Sequence, residues 1–512
     1  MNSWVSRRGI TSQDSRSAGL AIKVQLQQTG LVHRTVTAAA LRDLLGGGLP
    51  VGRGPAYRDL AERLRLLVLD GRLPLQVSLP SERELAASLA VSRTTVAAAY
   101  ALLREQGHLL SRPGARSTTT VPRHLGSSPT ALGLVPPPGV HDLAYASPPA
   151  PPAAVHEAYE AALSALPAHL PGTGYDPHGL LALREAVAER YVSRGLPTRP
   201  HEVLVTAGAQ HAWVLLLRAL TDAGDRVLVD APSYPHALDA VRAACCRAVP
   251  VALPSTGGWD LPGITAALRQ TAPRLAYVIA DFHNPTGRLL AAEQRAQLVR
   301  AARRSRTVLV VDETLVDLGL DGPAPPPVAV HGREVLTIGS MSKSFWGGLR
   351  IGWVRGPAEL IARLTAVRTT LDLGSPVVEQ LAAAELLARA DTVLPARRAQ
   401  LTGRRDHLLT LLEQHLPDWV AERPAGGLSV WARLPEPLSS AVAAHAPREG
   451  VRVAAGPRFG TDGAFEHHLR LPYTLTAADL DKAVRALART WRAVHLLPAG
   501  TRADIGLGAM VG

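Results

Sequence analysis

Lys343 stands in the run Ser340-Met341-Ser342-Lys343-Ser344-Phe345-Trp346-Gly347-Gly348-Leu349-Arg350, and it is one of three lysines in a 512-residue chain that holds 52 arginines. A chain that uses arginine almost everywhere keeps an amine here. Guanidinium stays protonated and is no nucleophile, whereas an amine whose pKa is lowered by its surroundings can attack a carbonyl and form a Schiff base. Spacing alone fits a surface loop lysine equally well, so the other chemistry-bearing residues decide. Arg350 is suited to a bidentate grip on phosphate. Thr206-Ala207-Gly208-Ala209-Gln210 follows an apolar run and opens a helical one, and free N–H groups at a helix start cradle anions. Asp312 closes the apolar run Val308-Leu309-Val310-Val311, a place that suits either a functional carboxylate or an ordinary cap.

The elements that must hold these residues follow from periodicity. Short apolar runs at Val203-Leu204-Val205, Val227-Leu228-Val229, Leu275 to Ile279, Val308 to Val311 and Val335 to Ile338 are separated by helical stretches. Strands of this kind, with helices between them, predict a large and mostly parallel α/β sheet. Ahead of it, residues 122–153 are rich in Pro, Gly and Ser and read as a semi-rigid linker. The expected organisation is therefore a disordered extension over 1–35, a head over 36–121, the linker, a large domain over 154–495 and a tail over 496–512.

The net charge of +12 is unevenly spread: residues 1–125 carry 17 Lys+Arg against 8 Asp+Glu, leaving +3 for the rest. A basic first quarter suggests nucleic acid as its partner. No run of 18 apolar residues occurs and the start lacks a secretory pattern, so a cytoplasmic protein without membrane spans is expected. The adjacent Cys245 and Cys246 bridge only with strain and read as reduced thiols. No metal site is expected.

In the head, Tyr57, Leu60, Leu64, Leu67 and Val68 recur at helical spacing. A second helix is signalled by Ser81 with Glu84 three residues on, a capping box. A third follows Val91-Ser92 and turns Val96, Tyr100 and Leu103 inward. Extended pieces at 109–111 and 118–121 flank a basic turn containing Arg112, Gly114 and Arg116. Three helices and such a hairpin make a winged helix-turn-helix. Its recognition helix begins Ser92-Arg93-Thr94-Thr95, where Arg93 can read a guanine edge and the hydroxyls can hold phosphates, with Arg83 placed for the backbone. Residues 55–121 resemble the GntR family of bacterial regulators, through Leu79 to Ala86 (LPSERELA) and Val91 to Val96 (VSRTTV). Ala90 departs from that family's glycine at a left-handed turn.

Residues 140–495 look like a fold-type I aminotransferase, and the resemblance implies pyridoxal 5'-phosphate as cofactor. By it, Lys343 is the Schiff-base lysine; Gly208, Ala209, Gln210, Ser340, Ser342 and Arg350 surround the phosphate, and Tyr175 reaches that phosphate from the partner subunit. Tyr234 stacks on the pyridine ring, Asn284 of His283-Asn284-Pro285-Thr286-Gly287 donates to the phenolic oxygen, Asp312 pairs with the ring nitrogen, and Arg470 binds an α-carboxylate. One departure is that Asp312-Glu313-Thr314-Leu315 lacks the tyrosine relatives place after the aspartate; Thr314 is a candidate to replace part of its bond. A GntR-type head joined to such a domain resembles the MocR/GabR-type regulators. That resemblance implies a homodimer on operator double-stranded DNA, sensing pyridoxal phosphate or an amino-acid or amine effector. The alternatives are a working aminotransferase with an accessory head and a repressor that never loads cofactor.

Overall fold

Buried parallel strands need both faces covered, and the continuous apolar runs of this sequence meet that need by alternating with helices. The computed structural model describes residues 22–26, 32–45, 56–69, 73, 77–105, 108–111, 116–120, 137–254, 258–461 and 463–496. The chain divides into two units, Met1–Ser128 and Pro129–Gly512.

The smaller unit contains β1 (Ile22–Leu26), β2 (Val32–Val36), α1 (Ala38–Leu44), α2 (Ala56–Leu69), β3 (Val77–Ser78), α3 (Glu82–Leu89), α4 (Arg93–Glu105), β4 (Leu109–Leu110) and β5 (Thr118–Thr119). Leu60, Leu64, Leu67, Leu85, Leu89, Val96, Tyr100 and Leu103 form one core, the inward faces expected from the helical spacing. The capping box of α3 is present, with Ser81 Oγ accepting from Glu84 N and Glu84 accepting from Ser81 N. Ala90 sits at φ 54° and ψ 40°, the left-handed conformation that the turn requires. The strands form one sheet in the order β1-β2-β3-β5-β4. The first two strands correct the expectation of disorder throughout 1–35, because 22–26 pairs antiparallel with 32–36. Residues 1–21 lie outside the described part.

The larger unit starts with β6 (His141–Leu143), α5 (Pro152–Ala165) and α6 (Leu181–Ser193). Alternation follows: β7 (Val203–Thr206), α7 (Ala209–Leu220), β8 (Arg226–Ala231), α8 (Pro235–Ala243), β9 (Arg247–Ala252), α9 (Leu261–Thr271), β10 (Leu275–Val278), α10 (Ala292–Arg304), β11 (Val308–Asp312), β12 (Leu336–Ser340) and β13 (Gly352–Arg355). Then come α11 (Ala358–Arg368), α12 (Val377–Ala388), α13 (Ala390–His415), β14 (Val420–Ala421), β15 (Ser429–Arg433), α14 (Ser439–His445), β16 (Val451–Ala455), β17 (His468–Pro472) and α15 (Ala477–His495). The main sheet runs β7-β13-β12-β11-β10-β8-β9, with β13 antiparallel to both neighbours and the other pairs parallel. Two apolar cores cover its faces.

A second sheet, β14-β15-β17-β16-β6, packs on α13 and α15. Strand β6 joins it parallel to β16, so the predicted linker over 122–153 is too long at its C-terminal end. Proline-rich composition there masked a three-residue strand whose register, His141 to Val451, is set by a partner some 300 residues away. Residues 121–136 and 497–512 lie outside the described part. Among the described residues no helix is long and apolar enough to cross a membrane.

Candidate functional site

Ligands of open parallel sheets bind in the crevice beyond the carboxyl ends of the strands. The turns after β7, β8, β10 and β12 deliver Gly208, Tyr234, Asn284 and Lys343 to that edge, and Asp312 ends β11 there. Lys343 is half-buried and its Nζ donates to Ala146 O at 2.7 Å. Burial, reinforced by the positive charges of Arg470 and Arg350 and opposed by Asp312, lowers its pKa to about 8. The amine is thus close to its neutral, nucleophilic form at ordinary pH.

Asp312 is 7% exposed and receives two donors: Tyr277 Oη at 2.6 Å on one oxygen and Thr314 N at 2.8 Å on the other. Sequence reasoning missed Tyr277. Its signal was present, because a phenol inside the aliphatic strand β10 must find a partner when buried. Thr314 Oγ1 is buried with no partner in the structure. Tyr234 follows β8 at the mouth, its pKa pushed up to about 12 by burial and by the Asp312 charge.

At the opposite end, Gly208 has φ 99° and caps α7. A Cβ there would meet Arg350 Nη2 at 3.0 Å, so glycine is required both by the backbone and by the guanidinium. Arg350 itself adopts φ 52° and donates Nη2 to Ala207 O at 2.8 Å. Ser340 Oγ lies 3.1 Å from Ser342 Oγ and accepts from Ser342 N. Ala209 opens α7, and Gln210 turns its amide nitrogen to His236 O while its Oε1 is buried without a partner. Tyr175 is 70% exposed and does not join the cluster within this chain.

Arg470, on β17, is 7% exposed. One Nη donates to Asn284 Oδ1 at 3.2 Å, the other to Ala144 O, and the guanidinium lies 4.9 Å from the Phe459 ring centroid. Its Nε is buried without a partner. Burial, with Arg458 as the leading neighbouring charge, lowers its pKa to about 10. Ala144 and Ala146 therefore hold Arg470 and Lys343 through carbonyls two residues apart, a role no side-chain motif could announce.

In the smaller unit Arg83, Ser92, Arg93 and Thr94 are exposed at the start of the two-helix motif. Ser92 Oγ accepts from Thr95 N at 3.0 Å and lies 2.7 Å from the hydroxyls of Thr94 and Thr95, so it caps α4 as well as facing solvent. Arg93 lies 3.7 Å from Glu82, and Arg116 pairs with Glu84 at 2.9 Å. Exposed pairs of this kind are weak and leave both guanidiniums available. Arg112 and Gly114 lie outside the described residues.

These two arrangements define a class: a winged helix-turn-helix head followed by a fold-type I α/β domain. Residues 147–487 match the family of class I and II aminotransferases, and residues 56–118 match the gntR family of bacterial regulatory proteins. The uncharacterized HTH-type transcriptional regulator YdcR of Escherichia coli is 30% identical over 79% of this chain and 92% of its own. The regulator YisV of Bacillus subtilis is 28% identical over 86% and 96%. Among solved structures, the α-aminoadipate aminotransferase LysN of Thermus thermophilus, complexed with N-(5'-phosphopyridoxyl)-L-leucine, superposes with a TM-score of 0.64 at 29% identity, covering 70% of this chain and 94% of that one. The chain belongs to the family of HTH-type transcriptional regulators that fuse a GntR head to a class I and II aminotransferase domain.

Proposed function

We propose that this regulator binds pyridoxal phosphate at Lys343 and reads out an amino-acid or amine effector through Arg470. The observation that carries the reading is the convergence of Lys343, Asp312, Asn284, Arg350 and Gly208 on one sheet edge, in the same chain as a helix-turn-helix with an exposed Arg93. The residues suit the cofactor. Gly208 keeps the α7 N-terminus open beside Arg350, and the buried Thr314 Oγ1, Gln210 Oε1 and Arg470 Nε lack partners. Unsatisfied buried groups of this kind are expected where a polar ligand completes the site.

When bound, the cofactor supplies an aldehyde and an electron-withdrawing ring. Lys343 would present to that aldehyde an amine far more often neutral than an ordinary lysine's, and Arg350 with the α7 N–H groups would hold the phosphate. Asp312, with one lone pair of each oxygen engaged by Tyr277 and Thr314, would use another to keep a proton on the ring nitrogen. Asn284, its Oδ1 held by Arg470, would offer its amide nitrogen to the phenolic oxygen. An effector carboxylate would draw Arg470 from Ala144 O, so ligand binding would change the contacts of the segment through which the chain enters the larger unit. An effector shifts DNA binding only through such differential contacts. The exposed Tyr175 fits a homodimer that presents two heads to separated half-sites.

DNA protection upstream of the protein's own gene tests the reading, with and without pyridoxal phosphate and with Lys343→Ala. A specific footprint altered by both changes is expected. No footprint in any condition refutes the regulator, and rapid turnover of amino donor with keto acid would identify an aminotransferase instead.

A further inference from the structure

Three arginines lie around the β16–β17 edge of the site: Arg452 on β16, Arg458 in the turn Gly456–Phe459 and Arg470 on β17. Arg452 is neutralised by Asp142 at 2.6 Å. Among the described residues the other two have no carboxylate within ion-pair distance. Arg470 is held only by an amide and a carbonyl oxygen, and Arg458, half-buried, hydrogen-bonds the Tyr145 phenol.

The two are brought to the same place by the backbone. Phe459, next to Arg458, lies under the Arg470 guanidinium, and its carbonyl accepts from Ser233 N at 2.7 Å, tying this turn to the one that carries Tyr234. Tyr145, the partner of Arg458, sits between the two residues whose carbonyls hold Arg470 and Lys343. Arg458 is also the foremost charge depressing the Arg470 pKa, as a near neighbour must be. Two like charges side by side, one buried and one half-buried, with Asp142 and Asp239 acting only from beyond ion-pair distance, are unfavourable, and an anion on each removes the penalty. Beside them is a small apolar cluster of Ala144, Ala454 and Phe459, flanked by Tyr145 and Trp431.

We propose that the effector is a dicarboxylic amino acid, its α-carboxylate on Arg470, its distal carboxylate on Arg458 and its methylenes on the Phe459 cluster. The proposal rests on the effector reading given above and adds the ligand class. The phosphate end of the site, Arg350 with Gly208, is a separate anion position and does not account for Arg458.

The test is calorimetric titration of the full chain loaded with pyridoxal phosphate, using L-glutamate and L-2-aminoadipate against their neutral counterparts L-glutamine and L-norleucine. At least one acidic ligand is expected to bind about 10-fold more tightly than its neutral counterpart, equivalent to about 1.4 kcal/mol. Arg458→Gln should erase that preference while leaving the neutral ligands unchanged, and Arg458→Lys should keep part of it. Equal affinities for acidic and neutral ligands in the wild-type protein overturn the proposal, as does a preference that survives Arg458→Gln; the wild-type panel decides even where the variant fails to fold. If equal binding is lost in Arg470→Ala, the parent reading stands while the dicarboxylate proposal falls. Absence of binding by all four amino acids overturns both.

Discussion

The pKa of Lys343, lowered to about 8, makes a kinetic prediction. Only the neutral amine captures an aldehyde, so at pH 7 about one Lys343 in ten is competent, against about one in 3,000 for an amine at 10.5, a gain of about 300-fold. The sign follows from the direction of the shift. Below pH 8 the capture rate should climb tenfold per unit, and above 8 it should level off because the amine is already neutral. The assay mixes cofactor-free protein with pyridoxal phosphate across pH 6 to 10, traps the product with borohydride and quantifies it by mass. Nα-acetyl-lysine amide measured in parallel removes the cofactor's own titrations. The protein-to-control ratio should be flat below pH 8 and fall tenfold per unit above it. Because Arg470 is the leading charge that disfavours the ammonium after burial, Arg470→Ala should move the break upward, and Asp312→Asn should move it downward. A ratio that stays constant through pH 10 refutes the argument, since Lys343 would then titrate as an ordinary surface amine.

Three further outcomes follow from local geometry. Ala90→Gly relieves a left-handed alanine at φ 54° and should stabilise the head by about 0.5 kcal/mol after glycine's larger unfolded-state entropy is subtracted; a lowered urea midpoint would count against the strain. Gly208→Ala places a Cβ at 3.0 Å from Arg350 and should weaken pyridoxal phosphate by about 10-fold or more while leaving phosphate-free pyridoxal unchanged. Equal losses for the two ligands would mean that Gly208 does not serve the phosphate. Arg93→Ala should abolish specific DNA binding in a mobility-shift assay yet leave covalent capture at Lys343 intact, and loss of both would show that the units are not independent.

What was legible in the sequence was whatever rests on local rules. The capping box at Ser81 and Glu84, the buried stripe of Leu60, Leu64 and Leu67, and the alternation of apolar strands with helices each need only a few neighbouring residues, and all three are present. The left-handed Ala90 was legible only through the resemblance to a family that has glycine there. Long-range pairing was not. Strand β6 exists because β16 accepts it. The hairpin of β1 and β2 is a different case: Ile22-Lys23-Val24-Gln25-Leu26 alternates as a strand does, and the polar residues around it drew the reading to disorder. In the site, the side chains carrying chemistry were visible at the turns after strands, whereas Tyr277, Ala144 and Ala146 were hidden by ordinary apolar surroundings. Arg458 was hidden by abundance: among 52 arginines nothing in its neighbouring sequence marks it, and only the fold brings it beside Arg470.

The missing tyrosine after Asp312 takes on a different meaning once Tyr277 is located. A phenol is still supplied, from the adjacent strand β10, but it is spent on the Asp312 carboxylate at 2.6 Å, and Thr314 Oγ1 is left without a partner. In the proposed holo-protein Asn284 would serve the cofactor's phenolic oxygen, with the unengaged Thr314 Oγ1 also available. Asn284 is in turn held by Arg470, and Arg470 by Ala144 O, so one chain of hydrogen bonds runs from the cofactor position through the effector position to the entry segment of the domain. Under the proposed sensor reading, occupancy at Arg470 would act through this chain on both the cofactor's partner and the entry segment of the domain, and substituting Asn284 would cut the chain at its middle.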